Sequence, residues 1–257
     1  MPNKISISLV QFNSVWQQTE ENLTQLSKKL TNITSDIIVL PEMFATGFSM
    51  NVEKVAQTEQ QSIVTWMKDF SLQHQKAVCG SVAIKENNNY YNRFFFVFEG
   101  LIVATYNKRH LFTYGKEHLH YTKGNQKIVF DYQGWKICPM ICYDLRFPVW
   151  NRNTESYDIL LNVANWPNTR IENWKILNQA RAIENMCYVI AVNRKGTDGN
   201  NLEYNGQSQA FSPIGTNLIQ NENKESEIIT VELYKQELNK IRKQFPFLDD
   251  KDTFMIT

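Results

Sequence analysis

Polar and apolar side chains alternate from Lys4 to Val10 (Lys-Ile-Ser-Ile-Ser-Leu-Val), the period of a strand with one face buried. Thr19 stands where a helix cap belongs, Glu20 and Glu21 fall in the first turn after it, and Leu23, Leu26 and Leu30 recur at helical spacing. Asp36-Ile-Ile-Val-Leu40 is a short continuous apolar run, the signature of a strand covered on both faces, and Pro41-Glu42 ends it. Ile63, Trp66, Met67 and Phe70 predict a second amphipathic helix. Three strands are then expected at Ala77 to Ile84, Tyr90 to Phe98 and Leu101 to Tyr106, the last two joined through Glu99-Gly100 as a tight hairpin.

Periodicity fades from Asn107 to Gln126, and unstructured stretches of that length in compact domains are often functional. Strands resume at Lys127 to Phe130 and at Trp135 to Met140. Asp158 to Ala164 reads as another buried strand, stopped by Asn165-Trp-Pro167, and a helix is expected from Thr169 to Asn185. Cys187 to Val192, Gly206 to Ser212 and Glu227 to Glu232 are strand-like, and a terminal helix spans Leu233 to Lys243. The runs beginning at Asp36 and Asp158 look alike, but the likeness is too short to establish a repeat. Alternating strands and helices predict an α/β protein, with sheets covered by helices. No linker or low-complexity segment divides the 257 residues, so one domain over 1–257 is expected.

Charge excludes some functions. Lys and Arg number 27 against 26 Asp and Glu, a net charge of +1, and no basic run is present to track a phosphate backbone. Nucleic acid is therefore not an expected partner. No apolar stretch approaches the ~18 residues of a membrane span, and the N-terminus lacks the apolar core of a signal peptide. A cytoplasmic protein is expected. Four cysteines in a chain this long make no disulfide framework. Cys79, Cys138 and Cys187 lie in apolar runs and read as small buried hydrophobes, whereas Cys142 is followed by polar residues and a proline.

Three segments carry candidate chemistry. Glu42 sits just beyond a buried strand, where open α/β sheets build their sites, although taken alone it reads more readily as a solvated loop acid. Lys108-Arg109-His110 opens the long loop and alone reads as a solvated turn. Cys142 ends an apolar strand at a turn, a nucleophile position with backbone N–H groups nearby that can hold an oxyanion.

Together these segments resemble the signatures of the nitrilase, or carbon–nitrogen hydrolase, superfamily: Pro-Glu42-Met-Phe, Asn-Lys108-Arg-His-Leu-Phe and Ile-Cys142-Tyr-Asp-Leu-Arg-Phe-Pro, in that order. The likeness extends to Gln179 through Asn193 and Gly206 through Gly215. It implies a four-layer α-β-β-α sandwich assembled into homodimers or larger oligomers, with no metal or organic cofactor. It also implies that Cys142 is the nucleophile, that Glu42 moves the protons, and that Lys108 holds the oxyanion together with the Tyr143 N–H. Glu117, in Gly115-Lys-Glu-His, resembles the family's second glutamate, expected to orient Lys108 and the substrate amide.

Cys142-Tyr-Asp resembles the amidase and carbamoyl-hydrolase branches more than true nitrilases, which more often carry Cys-Trp-Glu. Arg146-Phe-Pro-Val149-Trp and Asn165-Trp-Pro-Asn-Thr-Arg170 look most like the bacterial omega-amidases, and Val149 stands where many other amidases have Glu. That branch implies keto-acid amides such as 2-oxoglutaramate or 2-oxosuccinamate, cleaved to the dicarboxylate and ammonia. A small anionic substrate needs a cationic anchor, for which Arg146, Arg170 and Arg109 are candidates, and walls, for which Phe44, Phe48, Phe112 and Trp166 are candidates. Three rivals remain: an N-carbamoyl amino acid hydrolase of the same superfamily, a catalytically silent binding module, and a zinc enzyme using His110, Glu117, His118 and His120. The last has spacing unlike a helical His-x-x-x-His pair.

Overall fold

A computed structural model describes residues 3–219 and 226–256. Its strands are β1 (Lys4–Val10), β2 (Ile37–Val39), β3 (Ala77–Glu86), β4 (Asn89–Phe98), β5 (Leu101–Asn107), β6 (Phe130–Tyr132), β7 (Trp135–Ile141), β8 (Ile159–Ala164), β9 (Tyr188–Asn193), β10 (Lys195–Thr197), β11 (Glu203–Asn205), β12 (Gln209–Phe211) and β13 (Ile228–Tyr234). The helices are α1 (Thr19–Leu30), α2 (Val52–Val55), α3 (Ser62–His74), α4 (Pro148–Asn151), α5 (Ile171–Asn185) and α6 (Lys235–Gln244).

Six strands form one sheet in the order β13-β1-β2-β3-β4-β5, and five form a second in the order β12-β9-β8-β7-β6. The cores of both are parallel: β1-β2-β3 in the first, β7-β8-β9 in the second. Side chains alternate across each strand. Ile5, Ile7, Ile37 and Val39 thus meet Ile137, Ile159, Leu161 and Ile190 between the sheets. On the outer face of the first sheet, Ile38, Leu40 and Val78 bury the apolar stripes of α1 (Leu23, Leu26, Leu30) and α3 (Ile63, Met67, Phe70). On the outer face of the second, Leu160, Val189 and Ala191 pack against Trp174 and Ala182 of α5. The result is a four-layer α-β-β-α sandwich. Both faces of β2 and β8 are covered, which is why their sequences are unbroken apolar runs.

The two look-alike runs occupy equivalent places. The Asp36 N–H donates to the Ser6 carbonyl, and the Asp36 carbonyl accepts from Ala77; the Asp158 N–H donates to the Lys136 carbonyl, and the Asp158 carbonyl accepts from Tyr188. Each carboxylate also accepts a backbone N–H of the preceding strand, Ser6 in one case and Lys136 in the other. Each aspartate therefore starts a central strand by tying it to both neighbours.

Some boundaries differ from expectation. Thr19 is the first helical residue of α1, Gln18 occupies the cap, and no side chain caps it. Instead, the buried Asn22 amide holds the start of the helix through the Val15 backbone and the Ala45 carbonyl. Gly206 to Ser212 is not one strand. β11 ends before it, Gly206 and Gln207 take positive φ of 71° and 57°, and only Gln209–Phe211 pairs with β9. The strand expected at Lys127 to Phe130 lies later, as β6. Among the described residues, no helix is long and apolar enough to cross a membrane.

Candidate active site

Glu42 follows β2, Lys108 follows β5, Cys142 follows β7 and Asn165 follows β8, so strand ends from both sheets meet at one place. The Glu42 carboxylate is fully buried. Its Oε1 accepts from Lys108 Nζ at 2.8 Å and from Asn92 Nδ2 at 2.8 Å. Its Oε2 accepts from the Asn165 N–H at 2.9 Å and, at a long 3.5 Å, from the Asn165 side chain. Lys108 Nζ also lies 2.9 Å from Glu117 Oε2, and that oxygen accepts the Phe112 N–H at 2.6 Å.

One ammonium thus faces two carboxylates away from water. Burial works against the Lys108 charge, yet Glu117, Glu42 and Cys142 outweigh it and hold its pKa above the ordinary lysine value. Burial pushes the Glu117 pKa up, Lys108 pulls it back, and the nearby Glu42 charge leaves it raised. Burial, then the Glu42 charge, push the Cys142 thiol well above the ordinary cysteine range, with Lys108 opposing. Making the thiolate at this position therefore calls for a base to take the proton.

Cys142 opens a tight turn (Cys142–Arg146) with φ of 47°, a left-handed conformation that non-glycine residues adopt only under constraint, at ~1–3 kcal/mol. The buried Asn162 side chain accepts its N–H at 3.0 Å. Two residues on, the Asp144 carboxylate accepts from the Ile141 N–H at 3.1 Å, the Tyr106 hydroxyl at 2.8 Å and the His110 N–H at 2.9 Å. It pairs with His110 Nδ1 at 2.8 Å as well. This carboxylate fastens the turn bearing Cys142 to the segment bearing Lys108.

Above these groups lies a cavity of about 570 Å³, lined by Glu42, Lys108 and Cys142. Phe48, Phe112, Tyr143, Arg146 and Trp166 also line it, as does Arg170. The Arg146 guanidinium lies 5.0 Å over the Trp166 ring and that of Arg170 lies 5.3 Å over Phe112. Among the described residues, neither forms a salt bridge.

Two expected contacts lie elsewhere. Phe44 is buried between the first sheet and its helices, 6.0 Å from the Trp66 ring, because it continues the outer apolar face begun by Leu40. Arg109 stacks on Trp150 and donates to the Gly124 carbonyl, away from the cavity. Glu117 is not among the residues lining the cavity, and its oxygens are taken by Lys108, Asn92 and the Phe112 N–H. His110 is held on Asp144 and Glu117 on Lys108; among the described residues no group of three or more His, Cys, Asp or Glu side chains could hold a metal ion.

Asn92, Asn162, Asp198 and Tyr204 are not singled out by the sequence, and Asn165 only as part of a motif; Asn165, Asp198 and Tyr204 line the cavity. Asn92 did leave a signal. It shares a strand face with Phe94 and Phe96, and a polar residue on an apolar face must find a polar partner.

The carbon–nitrogen hydrolase family model matches residues 6–243. An Escherichia coli (strain K12) protein named omega-amidase YafV is 41% identical over 253 residues, covering 98% of each chain. A Bacillus subtilis (strain 168) protein named 2-oxoglutaramate amidase is 35% identical over 254 residues, covering 96% of this chain and 97% of the relative. Among solved structures, a CN-hydrolase superfamily protein from Xanthomonas campestris, with an arsenic adduct in its active site, superposes at a TM-score of 0.95 over 100% of both chains, at 36% identity.

Proposed function

Since this chain belongs to the carbon–nitrogen hydrolase family, we propose that it works as one domain to cleave the terminal amide of a small dicarboxylic monoamide, an omega-amidase acting through a cysteine thioester. The observation that carries this reading is that Glu42, Lys108 and Cys142 line one cavity, with the acid and the amine 2.8 Å apart.

The chemistry follows from the geometry. Cys142 Sγ attacks the amide carbon while Glu42 takes the thiol proton. Oε1 of Glu42 is occupied by two donors, so Oε2, with one short N–H contact, is the oxygen that receives it. The carbonyl oxygen becomes an oxyanion, held by Lys108 and the Tyr143 N–H; one such donor is typically worth ~3 kcal/mol. Glu42 returns the proton to nitrogen, the C–N bond breaks and ammonia leaves. Water, deprotonated by Glu42, then cleaves the thioester and restores the thiol, giving the carboxylic acid. Glu117 orients Lys108.

The relatives named omega-amidase and 2-oxoglutaramate amidase support an anionic substrate. So do Arg146 and Arg170, two cations on aromatic walls with no carboxylate of their own. Phe48, Phe112 and Trp166 would enclose the short carbon chain. The protein would act as a homo-oligomer, most simply a dimer, and in the cytoplasm, where a nucleophilic thiol stays reduced.

Ammonia release from 2-oxoglutaramate, glutamine, an N-carbamoyl amino acid and a simple nitrile tests the reading. Turnover of 2-oxoglutaramate above the others is expected, with none from Cys142→Ala. Release of carbon dioxide with ammonia from the carbamoyl compound as best substrate would transfer the protein to the carbamoylases, and no turnover of any compound would leave a binding module.

A further inference from the structure

Asn92 sits on β4 with its side chain fully buried, and its carbonyl accepts the Lys108 N–H at 2.9 Å. Its Nδ2 carries two hydrogens and reaches two acids, Glu42 Oε1 at 2.8 Å and Glu117 Oε1 at 3.2 Å. Among the described residues its Oδ1 finds no hydrogen-bond partner. Native proteins rarely leave a buried acceptor unpaired, because this costs roughly 1–3 kcal/mol. Turning the amide over would set Oδ1 against two carboxylate oxygens, which can only accept. The acids therefore dictate how the amide points.

We infer that Asn92 is a positioning residue: it holds Glu42 and Glu117 on one shared neutral donor, keeping both carboxylates around Lys108 and reserving Glu42 Oε2 for the Cys142 proton. This rests on the amidase reading. The groups facing the two acids are Lys108 from the end of β5, Cys142 from the end of β7, Tyr121, and the N–H groups of Phe112 and Asn165. Only Lys108 among them is cationic. The site therefore holds one more acid than cation, and the Glu42 charge disfavours that of Glu117. A second lysine at position 92 would cancel that repulsion and weaken Glu42 as a base. An amide offsets the repulsion without adding charge.

The test compares the pH dependence of the wild type with that of Asn92→Ala and the smaller change Asn92→Ser. Loss of the shared donor makes the acids harder to ionise, so the acid limb of kcat/KM moves up by ~1 pH unit, the size of one lost hydrogen bond. We expect kcat to fall about 10-fold with KM little changed. Asn153→Ala, which removes another buried amide whose bonds go to Tyr157 and Asn185, leaves the limb where it was. Alkylation of Cys142 by iodoacetamide, followed against pH, reads the same limb without substrate. It therefore separates failure of this inference from failure of the amidase reading. An unmoved limb in folded Asn92→Ala or Asn92→Ser, by either readout, overturns the proposal.

Discussion

Glu117 shows what a buried charge costs at the scale of one residue. Its pKa is raised, chiefly by burial, so the ionised form is less favourable in the folded protein than in the unfolded chain. The sign follows. The group binds more protons folded than unfolded, so its contribution is fully present below the unfolded pKa and is lost as pH rises through the folded one. Glu117→Gln removes that cost and leaves Lys108 and Glu42 as a matched pair. Its melting temperature at neutral pH should rise while kcat falls by about 10²-fold, because Lys108 is no longer held from both sides. A lowered melting temperature would show that the Lys108 contact outweighs the burial. Specificity is also argued at this scale. A charged hydrogen bond contributes ~1.5–3 kcal/mol, so Arg170→Gln should raise KM for 2-oxoglutaramate about 10- to 100-fold. Propionamide, which has no carboxylate, should be turned over as by the wild type. Equal losses on both substrates would remove Arg170 as the anchor.

At the scale of elements, Asp144 joins the turn after β7 to the segment after β5. An asparagine offers one acceptor where the carboxylate satisfies three donors and pairs with His110. Asp144→Asn should therefore lower kcat about 10-fold or more in steady-state assays, with KM changed less than ~2-fold. This scale also shows what a sequence can reveal. The run Ile37–Val39 was legible as a buried strand because helices cover one face and the other sheet covers the opposite face, leaving only apolar positions. The hairpin at Glu99-Gly100 was legible because both residues take positive φ, 50° and 73°, as a tight turn requires. The motifs around Glu42, Lys108 and Cys142 point to these three residues, and the structure places all three at one cavity. The meaning of Asn92 and Asn165 was not legible, since it lies in partners that are 50 and 123 residues away in sequence. Phe44 and Phe48 are equal candidates for the cavity wall in the sequence because both lie in the segment after β2, and nothing local says which one turns to the core.

The whole molecule makes the site by closing two sheets. Glu42 and Lys108 come from the six-stranded sheet, Cys142 and Asn165 from the five-stranded one, so neither sheet alone holds the cluster. The outer side of α5 leaves Ile176 and Ile183 exposed, and Ile183 lies beside Gly215. These two exposed isoleucines, with Gln179 between them, mark the face through which we expect a dimer to form. Light scattering should give twice the chain mass for the wild type and a lower mass for Ile183→Glu; an unchanged dimer would move the interface elsewhere. The most direct test of the mechanism is mass spectrometry of the wild-type protein quenched in acid during turnover of 2-oxoglutaramate. The account predicts an acyl adduct on the peptide containing Cys142, gained as ammonia is released. Ammonia formed at full rate with no adduct on that peptide, or with the adduct on another residue, would contradict it.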